Sequence, residues 1–433
     1  MKHHLVVQSK PTEAVRSLPF WGDVATGSAA AVKTFSPEVD EIFDNYGLEF
    51  SVTTEYKKKG GQWTPEETKA NFDTHFRFIL LNTKEIPSGL VQKLRLVPNI
   101  ISVKPGHIIS SDLPRVSESK SRSSHGLDSA RKAIGLDETL QKTTGHTDVK
   151  IAVLDTGVDT NHPELEHCML PGFDFVNIIS GANQFVGDYL GYDPDPEDEV
   201  GHGTHVAGII CGKGKNMPQG VVPNCKIIPI RVLGAMKKGE SKVGAGLVGN
   251  INAGIKWAVD NGADVINMSL GIVHEGGGLP HEDVVNYAKE KGVTIVAATG
   301  NDGKNSIYFP SGLPHVISVG ATDQSFYKVA PFSTYGDQVD FVAPGTEIYS
   351  TYLDGKYAYS TGTSHAAPFV AGAVAMLKSF ALQKGRKLKD HHVKYILKHT
   401  SDKVGTRMKD FKMGYGVVNL KDAIKLLEYK LNN

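Results

Sequence analysis

Three short stretches carry residue types and spacings suited to hydrolysing an amide. In Gly362-Thr363-Ser364-His365-Ala366-Ala367-Pro368 a small serine stands where an irregular segment enters an apolar run, Phe369 to Leu377. That run is apolar nearly all round and reads as a buried helix. A serine at its mouth can expose its hydroxyl and aim its backbone N–H at a developing oxyanion; a plain helix N-cap reads the same way. In Lys150 to Gly157 four apolar residues form a buried parallel strand. Asp155 ends it, at the sheet edge where open α/β folds place their sites, or else is a turn Asp before Gly157. Gly201-His202-Gly203-Thr204-His205 opens another apolar helix. His202 is a candidate base, an ordinary helix-start histidine, or half of a weak His-x-x-His metal pair with His205.

Taken together these residues run Asp, His, Ser, one of the chain orders known for hydrolytic triads. Here the motifs become specific. Val153-Leu-Asp155-Thr-Gly157, His202-Gly-Thr-His205-Val-Ala-Gly208 and Gly362-Thr-Ser364-His-Ala-Ala-Pro368 resemble the three signatures of the subtilisin-like serine proteases, the subtilase family (peptidase family S8). Ala298-Thr-Gly300-Asn301-Asp-Gly303 resembles that family's oxyanion segment. The resemblance covers roughly residue 120 to the C-terminus.

It implies a serine endopeptidase working through an acyl-enzyme on Ser364. His202 is the base, Asp155 orients and stabilises it, and Asn301 with the Ser364 N–H forms the oxyanion hole. His205 is structural, and the glycines flanking His202 are expected to let backbone and substrate approach closely. Gly244-Ala245-Gly246 aligns with one substrate-binding rail and Ser269-Leu270-Gly271 with the other. Tyr308 falls at the base of the primary pocket, where it leaves room for small or medium apolar side chains. No metal ligand is assigned and no cofactor is required; calcium is the metal the resemblance leaves room for. His162-Pro163-Glu164 keeps part of the family's calcium pattern, while Lys213 to Met217 brings cations where an Asn-rich loop is usual. The acidic stretch Asp193 to Glu199 offers oxygen ligands, or is a solvated loop.

The elements that position these residues follow from pattern. Short apolar strands alternate with helices from 150 onward, which predicts a three-layer α/β sandwich with a mostly parallel central sheet. Strands are expected at Lys150–Leu154, Lys226–Val232, Val265–Met268, Thr294–Ala298 and Val316–Val319. Helices are expected at His202–Cys211, Gly246–Asn261, Asp283–Lys291 and Ser364–Phe380. Residues 1–110 hold none of the protease motifs. A helix over Ser36–Tyr46, a strand over Leu48–Tyr56, a second at His75–Asn82, a helix over Pro87–Val97 and a strand at Ile100–Val103, with Ile108-Ile109 as its candidate extension, make a small α+β domain similar to subtilase propeptides. Residues 111–124 are a Ser-rich linker, and 125–433 the peptidase domain, beginning at a mature-like His125-Gly-Leu-Asp. A zymogen follows, its N-terminal domain the inhibitor, its linker cut by Ser364.

Composition excludes other classes. Lys+Arg and Asp+Glu are both 47, so nothing points to nucleic acid or an acidic membrane. Three cysteines, Cys168, Cys211 and Cys225, are no disulfide framework, and free thiols are expected. The first residues lack a signal-peptide core, so the chain reads as cytoplasmic, or secreted if a leader precedes it; a monomer acting on polypeptides is expected. An aspartic protease needs a second Asp-Thr-Gly, which is missing. A zinc protease needs His-Glu-x-x-His. A non-catalytic scaffold would not need the whole constellation. A dedicated precursor-processing protease, or a peptide cyclase or transpeptidase, would use the same acyl-enzyme and stays open.

Overall fold

Parallel strands must be covered on both faces, and the apolar runs of this chain provide for that. The computed structural model describes residues 3–83, 85–111, 129–178, 185–239, 241–273, 279–403 and 407–433. Seven strands form one parallel sheet in the order Phe341–Pro344, Val316–Thr322, Thr294–Ala298, Val265–Met268, Lys150–Asp155, Lys226–Arg231 and Phe173–Asp174. Alternate residues point to opposite faces. Ile151, Val153 and Val296 join one core with the helices His202–Cys211 and Thr363–Gln383. Ala152, Leu154 and Ile295 join the other with Val248–Asp260 and Glu282–Glu290. The result is the expected three-layer α/β sandwich.

Thr363–Gln383 runs through the middle of its core and is buried from Thr363 to Ala381. It is the helix, among the described residues, long and apolar enough to cross a membrane, and that apolarity is spent on the sheet.

Residues up to Pro105 form a smaller antiparallel sheet ordered Phe50–Thr54, His75–Leu80, His4–Ser9, Ile100–Pro105. Its core packs Leu5, Val7 and Phe78 against Val39 and Phe43 of the helix Pro37–Asn45. That helix starts as expected: Ser36 accepts from the Val39 N–H, with Pro37 in the first turn. One expectation here is corrected and one element is new. The helix over Pro87–Val97 shrinks to Leu90–Leu94, because Gly89 sits at φ 82°, where no right-handed helix continues. The strand His4–Ser9 was not foreseen, since its apolar run is only Leu5-Val6-Val7.

After Pro105 the chain turns at Gly106 and His107 and leaves the small sheet. Ile108–Ser111 then becomes the edge strand of a third sheet, ordered Ile108–Ser111, Ser241–Leu247, Gly234–Lys238, Phe185–Val186. Linker residues 112–124 and the stretch His125 to Asp128 lie outside the described residues.

Candidate active site

Asp155 ends its strand at the carboxyl edge of the sheet, fully buried. Its Oδ1 accepts from the Thr156 N–H at 2.8 Å and from His202 Nδ1 at 2.6 Å. The second bond fixes the tautomer: Nδ1 carries the proton, and Nε2 presents a lone pair. Nε2 has no hydrogen-bond partner among the described residues. Burial works against a charged His202, but the Asp155 charge and hydrogen bond, with Asp198 behind them, outweigh it and raise the pKa.

His202 opens its helix, and the flanking glycines prove to serve the scaffold. Gly201 takes φ 95°, a left-handed conformation suited to glycine. At Gly203 a Cβ would meet the Gly157 carbonyl and lie 3.0 Å from Asp155 Cβ. Gly203 brings the helix against the strand end, while a Cβ at Gly201 would run into the Tyr352 ring. Thr156 Oγ1 takes the Gly203 N–H at 3.0 Å. Asp198 gathers the N–H groups of Val200, Gly201 and Thr204, each at 2.9 Å, and the Thr204 hydroxyl at 2.7 Å. Sequence reading had placed Asp198 in a solvent or calcium loop. Its signal was an acidic residue three positions before Gly201, which is capping chemistry. His205 donates Nε2–H to the Ile348 and Ala358 carbonyls at 3.1 and 3.0 Å, and burial pushes its pKa down to about 3, so it is a neutral structural residue.

Ser364 stands in the first turn of Thr363–Gln383, one residue before His365, whose ring lies 5.4 Å from that of His202. Its hydroxyl donates to the Ser269 carbonyl at 3.1 Å. Pro368, four residues on, has no N–H to give the Ser364 carbonyl; the Ser269 hydroxyl donates to it instead, at 2.7 Å. The proline thus leaves the Ser364 carbonyl free to tie its helix to Ser269, beside the cavity wall. Asn301 is oriented by Thr363, a residue the sequence reading passed over. The Thr363 N–H and hydroxyl meet Asn301 Oδ1 at 2.8 and 3.0 Å. A backbone N–H can only donate, so the contacting atom is the oxygen and the amide's Nδ2 donors are turned away from Thr363.

Gly244, Ala245 and Gly246, expected as a substrate-binding rail, lie in the strand Ser241–Leu247. Opposite them, antiparallel, run the chain's own Ser111, Ser110 and Ile109. Leu270 and Gly271, with Tyr308, Asn301 and Ser364, line a cavity of about 700 Å³, which Ile108 and Ile109 help to close. Ser269 itself is buried behind that wall. Tyr308 lies flat against two glycines: a Cβ at Gly300 would be 2.5 Å from its Cε2, and one at Gly271 3.4 Å from its Cδ1.

The oxygens that would hold calcium are engaged otherwise. Buried Glu164 accepts the N–H groups of Gly214, Lys215 and Asn216 at 2.7, 3.0 and 2.6 Å. Those donors stabilise the carboxylate where a cation would sit, so the residues present do not fit the metal. In the acidic stretch Asp193 and Asp195 accept nearby backbone N–H groups, and Glu199 pairs with Arg231 at 3.2 Å. No cluster of three ligand side chains suits a metal among the described residues. Cys168, Cys211 and Cys225 are free and buried.

A serine, a buried His–Asp pair and a peptide-pairing strand at one edge of a parallel sheet define the serine-hydrolase class of α/β proteins. The sequence profile described as the subtilase family, Peptidase_S8, matches residues 146–416, and the chain belongs to that family. It is 39% identical over 284 residues to the thermophilic serine proteinase of Bacillus sp. (strain AK1), covering 65% of this chain and 63% of that protein's length. It is 39% identical over 278 residues to subtilisin Savinase of Lederbergia lenta, covering 64% of this chain and 91% of the relative. Among solved structures it is similar to a lanthipeptide protease, with a TM-score of 0.59 and 28% identity over 70% of this chain and 96% of the other.

Proposed function

We propose that this chain is a serine endopeptidase that hydrolyses peptide bonds through an acyl-enzyme on Ser364. His202, held by Asp155, takes the Ser364 proton at Nε2 and returns it to the leaving amine. The Asn301 Nδ2 donors and the Ser364 N–H meet the oxyanion of the tetrahedral intermediate. The substrate lies as an added strand between Gly244-Ala245-Gly246 and Ser269-Leu270-Gly271. A substrate N–H taking the Ser269 carbonyl would release the Ser364 hydroxyl to turn to His202. Tyr308 limits the primary pocket to small or medium apolar side chains. No step calls on a metal.

One observation carries this reading: an extended peptide already occupies the groove. Ile108–Ser111 pairs with the Ser241–Leu247 strand and helps close the cavity that holds Ser364. The N-terminal domain is accordingly read as an intramolecular inhibitor, cut by Ser364 in the stretch that follows. Expressed wild-type chain should yield a fragment beginning between about 110 and 125, in the polar linker, while Ser364→Ala stays full length. Cleavage that persists in Ser364→Ala would reject the nucleophile, and full activity from a chain still beginning at Met1 would reject processing.

Dedicated maturation of a precursor peptide is a second reading, favoured by the likeness to a lanthipeptide protease. Product mass separates hydrolysis, which adds water, from cyclisation, which does not.

A further inference from the structure

The amino edge of the parallel sheet carries a second cavity. Val316 and Phe341, which begin their strands, line it at the end opposite Asp155. It holds about 470 Å³, and among the described residues none from the N-terminal domain lines it. One wall is the helix Asp390–Thr400, whose Val393, Ile396 and Leu397 are buried in the core. His391, Lys394, Tyr395 and Lys398, at i, i+3, i+4 and i+7, form one stripe along the cavity. They belong to a strongly basic stretch. Residues 384–412 carry ten Lys and Arg against three Asp and no Glu, in a chain whose charges cancel overall.

Little of that charge is neutralised at the cavity. Lys394 Nζ is 3.9 Å from Asp390, at the limit of an ion pair. Lys398 pairs with no carboxylate among the described residues, and its ammonium lies 4.8 Å from the Tyr415 ring centroid. Lys409 donates to the Asp337 carbonyl at 2.6 Å and reaches the Asp340 carboxylate only at 3.9 Å. A fourth ammonium, Lys430, lies 4.8 Å from the ring of half-exposed Tyr395. The lining also accepts hydrogen bonds, through exposed Asp337 and half-buried Asp340. An extended acidic peptide matches both halves. Its carboxylates meet the lysine stripe, and its backbone N–H groups meet the two aspartates. A phosphodiester backbone brings acceptors without N–H donors, and the same aspartates repel it.

We propose that this cavity is a docking site for an acidic segment of a polypeptide, remote from Ser364. Its consequence for catalysis rests on the endopeptidase reading above: proteins that carry such a segment outside the cleft are held at two points and show a lower KM.

The test follows the fluorescence anisotropy of a labelled Glu-Ser repeat peptide added to full-length Ser364→Ala, so that the peptide is not consumed. Binding should saturate and weaken as salt rises, and a Gln-Ser repeat should not bind. Lys394→Glu with Lys398→Glu should weaken binding by about 10-fold or more, because two attractions become repulsions. The milder Lys394→Gln with Lys398→Gln should weaken it by about 3-fold, and guards against misfolding of the reversed variant. Lys33→Glu with Lys356→Glu, exposed lysines elsewhere, should change it little. Equal binding of the Gln-Ser repeat, parent-like affinity in both cavity variants, or an equal loss from the Lys33 and Lys356 reversals would overturn the proposal. So would a single-stranded oligonucleotide or an anionic lipid vesicle that binds the same stripe more tightly than the acidic peptide. With Ser364 intact, a Glu-Ser tail on a reporter substrate should lower KM and leave kcat alone. Cleavage of that reporter that persists in Ser364→Ala would reject the endopeptidase reading and leave the docking site standing.

Discussion

In the proposed mechanism the Asn301 amide could serve an oxyanion only one way round, and Thr363 sets that orientation. Its obligate N–H donor claims Oδ1, so Nδ2 is left for the substrate without reorganisation at the moment of reaction. Asn301→Ala should lower kcat by about 10²–10³ with little change in KM; steady-state kinetics showing a KM defect alone would make Asn301 a ground-state contact. His202 poses the complementary question of charge. It must be neutral to accept a proton, and its pKa is raised, because the Asp155 pair outweighs burial. The acid limb of kcat/KM should therefore lie above the ordinary histidine value of about 6.5. Asp155→Asn should move that limb to lower pH while costing about 10⁴ in kcat. A limb unmoved in Asp155→Asn would detach it from His202.

At the scale of elements, much was legible because the catalytic motifs sit on the strongest patterns. Lys150–Asp155 is a run of apolar residues ending in an acid, and Thr363–Gln383 is apolar on all sides; both read as buried from composition alone. What escaped depended on partners distant in sequence. Ser241–Leu247 has too many small residues to announce a strand, and is one because Gly234–Lys238 and Ile108–Ser111 flank it. His4–Ser9 is short, and is an interior strand because chain some seventy and ninety residues later pairs with it. Glu164 looked like half of a calcium site until the loop at Gly214 to Asn216 turned its N–H groups inward. That loop is held by a carboxylate, which gives a thermal test. Glu164→Gln should destabilise the protein by roughly 1.5–3 kcal/mol, the worth of a hydrogen bond to a charged group, lowering Tm by a few degrees. Calcium or a chelator should leave the wild-type Tm where it is; a rise of many degrees with calcium would reinstate the metal.

For the molecule as a whole, the two domains share a cavity whose wall titrates. His281 is buried there, its Nδ1 2.6 Å from Asn252 Oδ1 and its Nε2 without a partner among the described residues, and burial pushes its pKa down to about 4. Glu55, Tyr56 and His75 face the same space from the N-terminal domain, and Glu282 and Asp283 from the catalytic one. With the folded value depressed, the unfolded chain takes up the proton first as pH falls. The stability tied to a neutral His281 is complete above about 6.5 and drains away as pH falls towards about 4. It amounts to something of the order of 3 kcal/mol at most. Urea midpoints at pH 7 and pH 5 should differ, with His4 in the same wall and His205 beside the site, both pushed down by burial, contributing alongside His281; His281→Asn should narrow the difference, and an unchanged difference would place the acid sensitivity in those other histidines.

The central claim is that Ser364 is the nucleophile and His202 its base. A fluorophosphonate forms a covalent adduct with a serine activated in this way, so mapping the adduct on the active preparation by peptide mass spectrometry tests it most directly. The account predicts one modified residue, Ser364, and loss of the adduct in His202→Ala. An adduct on another serine, or undiminished labelling of Ser364 in His202→Ala, would contradict it.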